Sequence, residues 1–371
     1  MKKSILLSLL AILFSLNIFS QSQRKEIAIP DILEYKTLKC DFHMHTVFSD
    51  GSVWPNIRVE EAWREGLDAI SITEHVEYHP HKNDLTKDIY RSYQIAKPKA
   101  DAKGIILVKG AEITRSMPPG HFNALFIEDY DTLNQPGWYE SLKAANDQGA
   151  FIFWNHPGWR QKDEIPIWYK EHSQLFTDGM FKGIEIANER SYYPLSYRWA
   201  IDSNLTILGN SDIHSPINME YDIRGGEHRN MTLVFATEKT EKGIKEALIA
   251  GRTAVWYKDM LIGKQEFLEE IFNNSVFYKN DSIPPAGKTL YINMHNHSDL
   301  PLKFELKDKP EGISCSGNFT IEPHSTVLYS LSIKEETKAI NEVDLTYMIK
   351  NFLTGPENYC EVELKFKQSN D

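Results

Sequence analysis

Nine side chains of the kinds that hold divalent metals stand in order along the chain. DFHMHTVFSDG contributes His43, His45 and Asp50, ITEH contributes His75, and GAEIT contributes Glu112. GHFN supplies His121, NHPG supplies His156, and SDIH closes the set with Asp212 and His214. Six imidazoles and three carboxylates suffice for about three cations at three or four protein ligands each. One stabilising zinc needs only four ligands, so the set points to a multinuclear hydrolytic centre. Three divalent ions outweigh three carboxylates and a bridging hydroxide. The resulting cationic pocket favours a phosphoester over a neutral amide, because phosphoryl transfer is catalysed by positioning and charge neutralisation.

The elements that must position these residues are legible around them. LKCDFHMHT reads as a strand, in which residues i and i+2 share a face. His43 and His45 therefore point one way, and Phe42 and Met44 the other. The same spacing recurs at Asp212 and His214, after LTILGNS. His75 ends the apolar run LDAISITEH, Glu112 follows GIILVKGA, and His156 follows AFIFWN. Such runs are expected of parallel strands buried on both faces, and ligands at their C-terminal ends match the mouth of an α/β barrel. VEEAWREG predicts a helix ending at a glycine. Further helices are expected near 87–102, 139–148, 194–203 and 241–250, with MTLVFA as the last barrel strand.

This order of motifs, from about Thr37 to Ile262, resembles the PHP family of phosphoesterases, which includes histidinol phosphatases and the proofreading module of some bacterial replicative polymerases. The resemblance implies an α/β fold, a distorted seven-stranded (β/α)7 barrel with a trinuclear site at one mouth. It assigns His43, His45, Glu112 and Asp212 to a first metal. Glu112, His121 and His156 go to a second, with Glu112 as the bridge, and Asp50, His75 and His214 to a third. Zinc, manganese and iron all suit mixed His and carboxylate shells. A carboxylate bridge between two cations lets a shared water ionise near neutral pH. Within the family the chain is similar to secreted, PHP-type phosphodiesterases acting on organophosphate diesters, which implies hydrolysis of P–O ester bonds by a metal-activated hydroxide. A phosphomonoesterase or an amidohydrolase on the same site is the alternative, and a non-catalytic, metal-stabilised binding module is a third reading.

Glu112, Asp212 and His214 are the expected catalytic centre, with Arg115 and Arg190 as phosphate-binding partners. Arg115, Arg190, Arg224 and His228 follow strands on the ligand side and are candidate substrate contacts, since arginine offers a bidentate fork to phosphate; surface or ion-paired roles compete with this. Asn155 and Glu74 flank ligands and are candidates to orient them. Trp54, Trp154 and Trp159 are placed to pack near the motifs or to wall a leaving group. His79 and His81 repeat the His-x-His spacing in a loop with proline between them, and His295 and His297 do so in MHNHS; surface or structural roles are expected for both pairs. His172 and His324 carry no signal.

At 371 residues the chain exceeds one ordinary core and suggests two domains. Residues 1–22 have two lysines, a short apolar stretch and polar residues, which reads as a bacterial signal peptide and a periplasmic or secreted location, with no stable membrane span after cleavage. Residues 23–262 form the metallohydrolase barrel. From 263 to 371 alternating β-rich segments such as TLYINMHNHS and STVLYSLSI predict a small β-sandwich. The net charge of −11 argues against a nucleic-acid scaffold. The expected partner is a small-molecule phosphoester, and the oligomeric state is open. Among the three cysteines, Cys40 is expected to face away from the metals, while Cys315 and Cys360 either pair or stay as free thiols.

Overall fold

The structure is a computed structural model and describes residues 23–279, 282–337 and 340–367. The segment read as a signal peptide lies outside the described residues. Among those described, no helix is long and apolar enough to cross a membrane.

The N-terminal part alternates strands and helices. Its strands are β1 (Lys36–Asp41), β2 (Ala69–Ile72), β3 (Ile106–Ile113), β4 (Phe122–Leu125), β5 (Phe151–Trp154), β6 (Gly183–Asn188), β7 (Ser191–Tyr192), β8 (Thr206–Asn210), β9 (Met231–Ala236), β10 (Thr253–Tyr257) and β11 (Met260–Gly263). Its helices are α1 (Pro55–Glu65), α2 (Tyr90–Lys103), α3 (Trp138–Asp147), α4 (Lys170–Thr177), α5 (Pro194–Ser203), α6 (Ile217–Glu220) and α7 (Glu241–Ile249). Proline at the first turn and left-handed Gly66 at the end delimit α1, the asymmetry that helix termini favour. Strands β2, β4, β5, β6 and β8 are buried at every position, which explains their unbroken apolar runs.

Backbone pairing runs β9-β1-β2-β3-β4-β5-β6, with β8 also on β6. The pairs β1–β2, β2–β3, β5–β6 and β6–β8 are parallel, whereas β4 is antiparallel to both neighbours. The expected closed seven-stranded barrel is therefore met only in part. Strands β8 and β9 meet through side chains: Thr232 Oγ1 takes the Gly209 N–H and donates to its carbonyl, both at 3.0 Å. At the ligand end, backbone bonds do join the two sides. Asp212 N–H donates to the His43 carbonyl at 2.8 Å, and His45 N–H to the Ile213 carbonyl at 3.1 Å. Nor is MTLVFA (β9) the last strand of this sheet, because β10 and β11 continue it antiparallel.

After β11 comes α8 (Gln265–Ser275), then β12 (Val276–Tyr278), β13 (Thr289–Asn296), β14 (Leu302–Asp308), β15 (Ile313–Cys315), β16 (Phe319–Ile321), β17 (Thr326–Ile333), β18 (Glu342–Leu353) and β19 (Tyr359–Lys367). Sheet β12-β13-β17-β15 faces the layer β16-β14-β18-β19 across an apolar core. The long strand β18 also pairs in parallel with β11 at Leu261–Phe352 and Ile262–Leu353. The second layer is thus continuous with the N-terminal sheet. Cys40, Cys315 and Cys360 are free thiols.

Candidate metal centre

All nine residues converge where the strands of the N-terminal part end. Each group of histidine, aspartate and glutamate spaced to hold a metal, among the described residues, is drawn from these nine. His43 and His45 leave the end of β1, Glu112 is the seventh residue of β3, and Asp212 follows β8. His43 Nε2 lies 3.5 Å from Glu112 Oε2 and 3.1 Å from Asp212 Oδ1. His45 Nε2 lies 3.3 and 3.0 Å from the same two oxygens. Four ligands about 2.0–2.2 Å from one tetrahedral ion stand about 3.4 Å apart; His43, His45 and Asp212 form one group close enough to hold a cation, and Glu112 Oε2 flanks its two histidines. These four atoms are also buried and lack hydrogen-bond partners, which native interiors rarely tolerate.

Glu112, fully buried, turns its other oxygen to a second group. Oε1 is 2.9 Å from His121 Nδ1 and 3.4 Å from His156 Nε2. A third group gathers on Asp50, whose two carboxylate oxygens lie 3.2 Å from His75 Nε2 and 3.3 Å from His214 Nε2. The His45 ring lies between those of His75 and His214 at 4.5 and 4.4 Å. The donors thus form groups able to hold divalent metal, and Glu112 belongs to two of them.

Further residues hold these rings in place. Glu185, fully buried, faces His43 Nδ1 at 2.9 Å and accepts from His156 N–H at 2.7 Å. Asn210 Nδ2 donates to the same carboxylate at 2.9 Å. His45 Nδ1 meets Ser49 Oγ at 3.2 Å, and Ser49 in turn donates to Glu74. Thr114 Oγ1 lies 2.6 Å from His75 Nδ1, and the Asp212 carbonyl 2.6 Å from His214 Nδ1. Four rings thus have Nδ1 fixed by protein and Nε2 facing the centre, the arrangement that sets tautomer and orientation in metal sites. Asn155 donates to Glu112 Oε1 at 3.0 Å. Beneath these, Arg229 joins Asp41 at 3.0 Å to Glu65, and Asp41 accepts from both Ser211 and His43 N–H.

Charge follows this geometry. Burial opposes ionisation of Glu112 and Asp212, but the surrounding imidazoles hold both carboxyls well below their usual range. Burial also lowers His214, yet the hydrogen bond to Asp50 and the charge of Asp212 raise it to about 9. His45, buried beside two other imidazoles, falls to about 3. Backbone strain gathers here as well. His156, Arg160, Asp163, Glu164, Glu189 and Asp212 adopt positive φ between 26° and 56°. Non-glycine residues seldom do so, and such outliers cluster at functional sites.

Two cavities open from the centre and share Asp50, His75, His121, Trp159 and Arg160. One, about 320 Å³, continues past Glu164, Asn188, Glu189, Ser191 and Tyr193. The other, about 470 Å³, continues past Tyr78, Thr114, Arg115 and Ser116. Trp159 packs on His121 at 4.7 Å and forms part of both walls. Trp154 is instead core, stacked on His172 at 3.8 Å, and Trp54 is half exposed against Phe48.

The substrate candidates divide. Arg115 reaches the second cavity, but its guanidinium is held by Glu77 at 2.9 Å and by the Gln135 carbonyl at 2.7 Å. Arg190 is turned away: it pairs with Glu227 at 3.0 Å, lies over Tyr221 and lines a separate cavity. His228 lines that same separate cavity, packed against Trp256 at 3.8 Å with both ring nitrogens on backbone carbonyls. Arg224 is exposed and lines neither cavity of the centre. Following a strand on the ligand side does not suffice, because a nearby carboxylate or carbonyl captures a long side chain. His79 and His81 lie in their loop outside the cluster, and His295 and His297 lie on and just past β13. Arg160, Glu185 and Glu189 carry no motif of their own. Their signal is position, two residues past NHPG, inside GIEIAN and just after it.

Residues 275–365 match a family described as an Ig-like domain. The chain is 35% identical over 147 residues to an uncharacterized protein of Methanocaldococcus jannaschii; that match spans 31% of this chain and 66%, just under two thirds, of the relative. It is 42% identical to a two-domain protein of Bacteroides vulgatus whose crystal structure is described as containing a predicted PHP-like metal-dependent phosphoesterase. The likeness covers 92% of this chain and 99% of that one, with a TM-score of 0.88. With a PHP-like N-terminal part, an Ig-like C-terminal domain and a histidine and carboxylate cluster able to bind metal, the chain belongs to this family of two-domain, PHP-like metal-dependent phosphoesterases.

Proposed function

We propose that the chain is a phosphodiesterase whose nine convergent residues hold three divalent cations. The observation that carries the choice of a diester is the pair of cavities meeting at one centre. A diester has a substituent on each side of its phosphorus, whereas a monoester needs room for one.

In this reading His43, His45, Glu112 and Asp212 hold one cation, Glu112, His121 and His156 a second, and Asp50, His75 and His214 a third. When bound, the cations supply charge stabilisation of the phosphoryl oxygens and a water of lowered pKa. The chain's own residues do the positioning. Glu185, Ser49 and Thr114 fix the rings, and Trp159 excludes water from one side. Arg160 stands over the Trp159 ring at 4.2 Å without a carboxylate partner among the described residues. Its guanidinium is free to meet a non-bridging phosphate oxygen at the rim both cavities share.

The test is hydrolysis of bis(p-nitrophenyl) phosphate and of p-nitrophenyl phosphate, side by side, with and without added manganese or zinc. Metal-dependent release from the diester is expected. Release from the monoester alone would overturn the proposal and favour a phosphatase.

A further inference from the structure

We infer that the cavity beyond Glu189 receives one alcohol of the diester, and that this alcohol is rich in hydrogen-bond donors and bears no negative charge. A polyol or an amino alcohol meets that description, and a group carrying a second phosphate does not. The inference rests on the diester reading above.

Beyond the rim residues Trp159 and Arg160, that cavity is lined by Glu164, Asn188, Glu189, Ser191 and Tyr193, and the first three present acceptors. Glu189 follows β6 with φ at 47°, and its carbonyl is tied down by Asn230 Nδ2 at 2.9 Å. Its carboxylate makes no hydrogen bond or ion pair among the described residues, although the residue lines the cavity. Asn188 is only 3% exposed. It spends its amide N–H on Glu185 at 2.8 Å, and its amide oxygen receives no donor among the described residues. Glu164 takes one hydrogen bond, from Ser191 Oγ at 2.7 Å, and has no cationic partner among the described residues. A ligand here must bring the donors.

Charge points the same way. Two carboxylates without a paired cation among the described residues repel a phosphate, and the guanidinium that lines this cavity, Arg160, belongs to the shared rim. The other cavity differs. Its carboxylate Glu77 is already paired with Arg115, and Ser116 and Tyr78 offer hydroxyls. The two halves of the substrate are therefore told apart. A hydrogen bond from a ligand hydroxyl or ammonium to a charged acceptor accounts for about a tenfold preference or more.

The experiment compares kcat/KM of the metal-loaded full chain for four diesters: bis(p-nitrophenyl) phosphate, glycerophosphoglycerol, glycerophosphoethanolamine, and a glycerol diester whose second alcohol carries a terminal phosphate. Mass spectrometry identifies the alcohol released. We expect at least a tenfold preference for the glycerol or ethanolamine diester over the phosphate-bearing one, and the relative rates of the first two separate polyol from amino alcohol. Glu189→Gln should lower the ratio of the preferred diester to the aryl diester about tenfold, Glu164→Gln should lower it less, and Glu189→Lys should shift preference toward the phosphate-bearing alcohol. A ratio unmoved by these variants, or a wild-type preference for the phosphate-bearing alcohol, overturns the inference while the diester reading stands. No turnover of the aryl diester overturns the diester reading and this inference with it.

Discussion

At the scale of single residues, the account turns on Glu112. Its two oxygens face different histidine groups, so no other side chain can replace it without separating two ligand sets. Glu112→Gln should lower activity by about a hundred- to a thousandfold, in the range seen when one charge-stabilising group is lost, and should reduce bound metal by elemental analysis. Glu185 acts one layer out. Glu185→Gln keeps the volume but weakens the hold on His43 Nδ1, and metal affinity should fall about 10–100-fold while the circular dichroism spectrum stays native. The histidines also give a pH signature. In the metal-free protein His214 is held at about 9 by Asp50 and Asp212 against the effect of burial. A folded value above the unfolded one, about 6.5, means that the imidazolium stabilises the fold fully below pH 6.5. That contribution is lost as pH rises toward 9. The melting temperature of metal-stripped protein should fall across that window, and metal binding at pH 7 should release protons. Calorimetry in two buffers of different ionisation enthalpy checks the release.

At the scale of elements, the loop between β1 and α1 does the closest work, since it carries His43, His45 and Asp50. Gly51 lies against it: a Cβ there would stand 2.6 Å from the carbonyl carbon and oxygen of His45 and 2.7 Å from Thr46 N. Those contacts are backbone and cannot swing aside. Gly51→Ala should cost about 1–3 kcal/mol, as overpacking does, and should weaken metal binding with it; thermal melts and metal titration of the variant check both. The ligand-bearing strands were legible because burial on both faces writes itself as an apolar run ending in a polar residue. The arginines were not, because a side chain with that reach is placed by partners distant in sequence: Glu227 captures Arg190 from 37 positions away. Helix α8 was hidden for another reason. It falls at the boundary where the pattern turns to alternation, and its buried Phe267, Leu268, Ile271 and Phe272 pack into a core that the two parts share, Phe267 on Phe235 and Phe272 on Phe304.

At the scale of the whole molecule, the two parts share hydrogen bonds as well as surface. Strand β18 alternates in burial along most of its length, yet its last residues extend the N-terminal sheet through β11. The Tyr197 hydroxyl on α5 contacts the carbonyls of both Gly263 and Leu353. Register of this kind depends on where distant strands meet, which no local periodicity records. A chain ending at Gly263 would leave β11 as an unpaired apolar edge, and should aggregate or melt well below the full chain; light scattering and a thermal melt of the truncated protein check this. The most direct test of the central claim concerns the assembled centre. Metal-stripped full chain is titrated with manganese or zinc while diester hydrolysis and bound metal are followed together. The account predicts that activity appears with the metal and saturates at about three equivalents per chain, the number the nine ligands can hold. Full hydrolysis by metal-free protein, or three bound equivalents with no hydrolysis of any phosphoester, would contradict it.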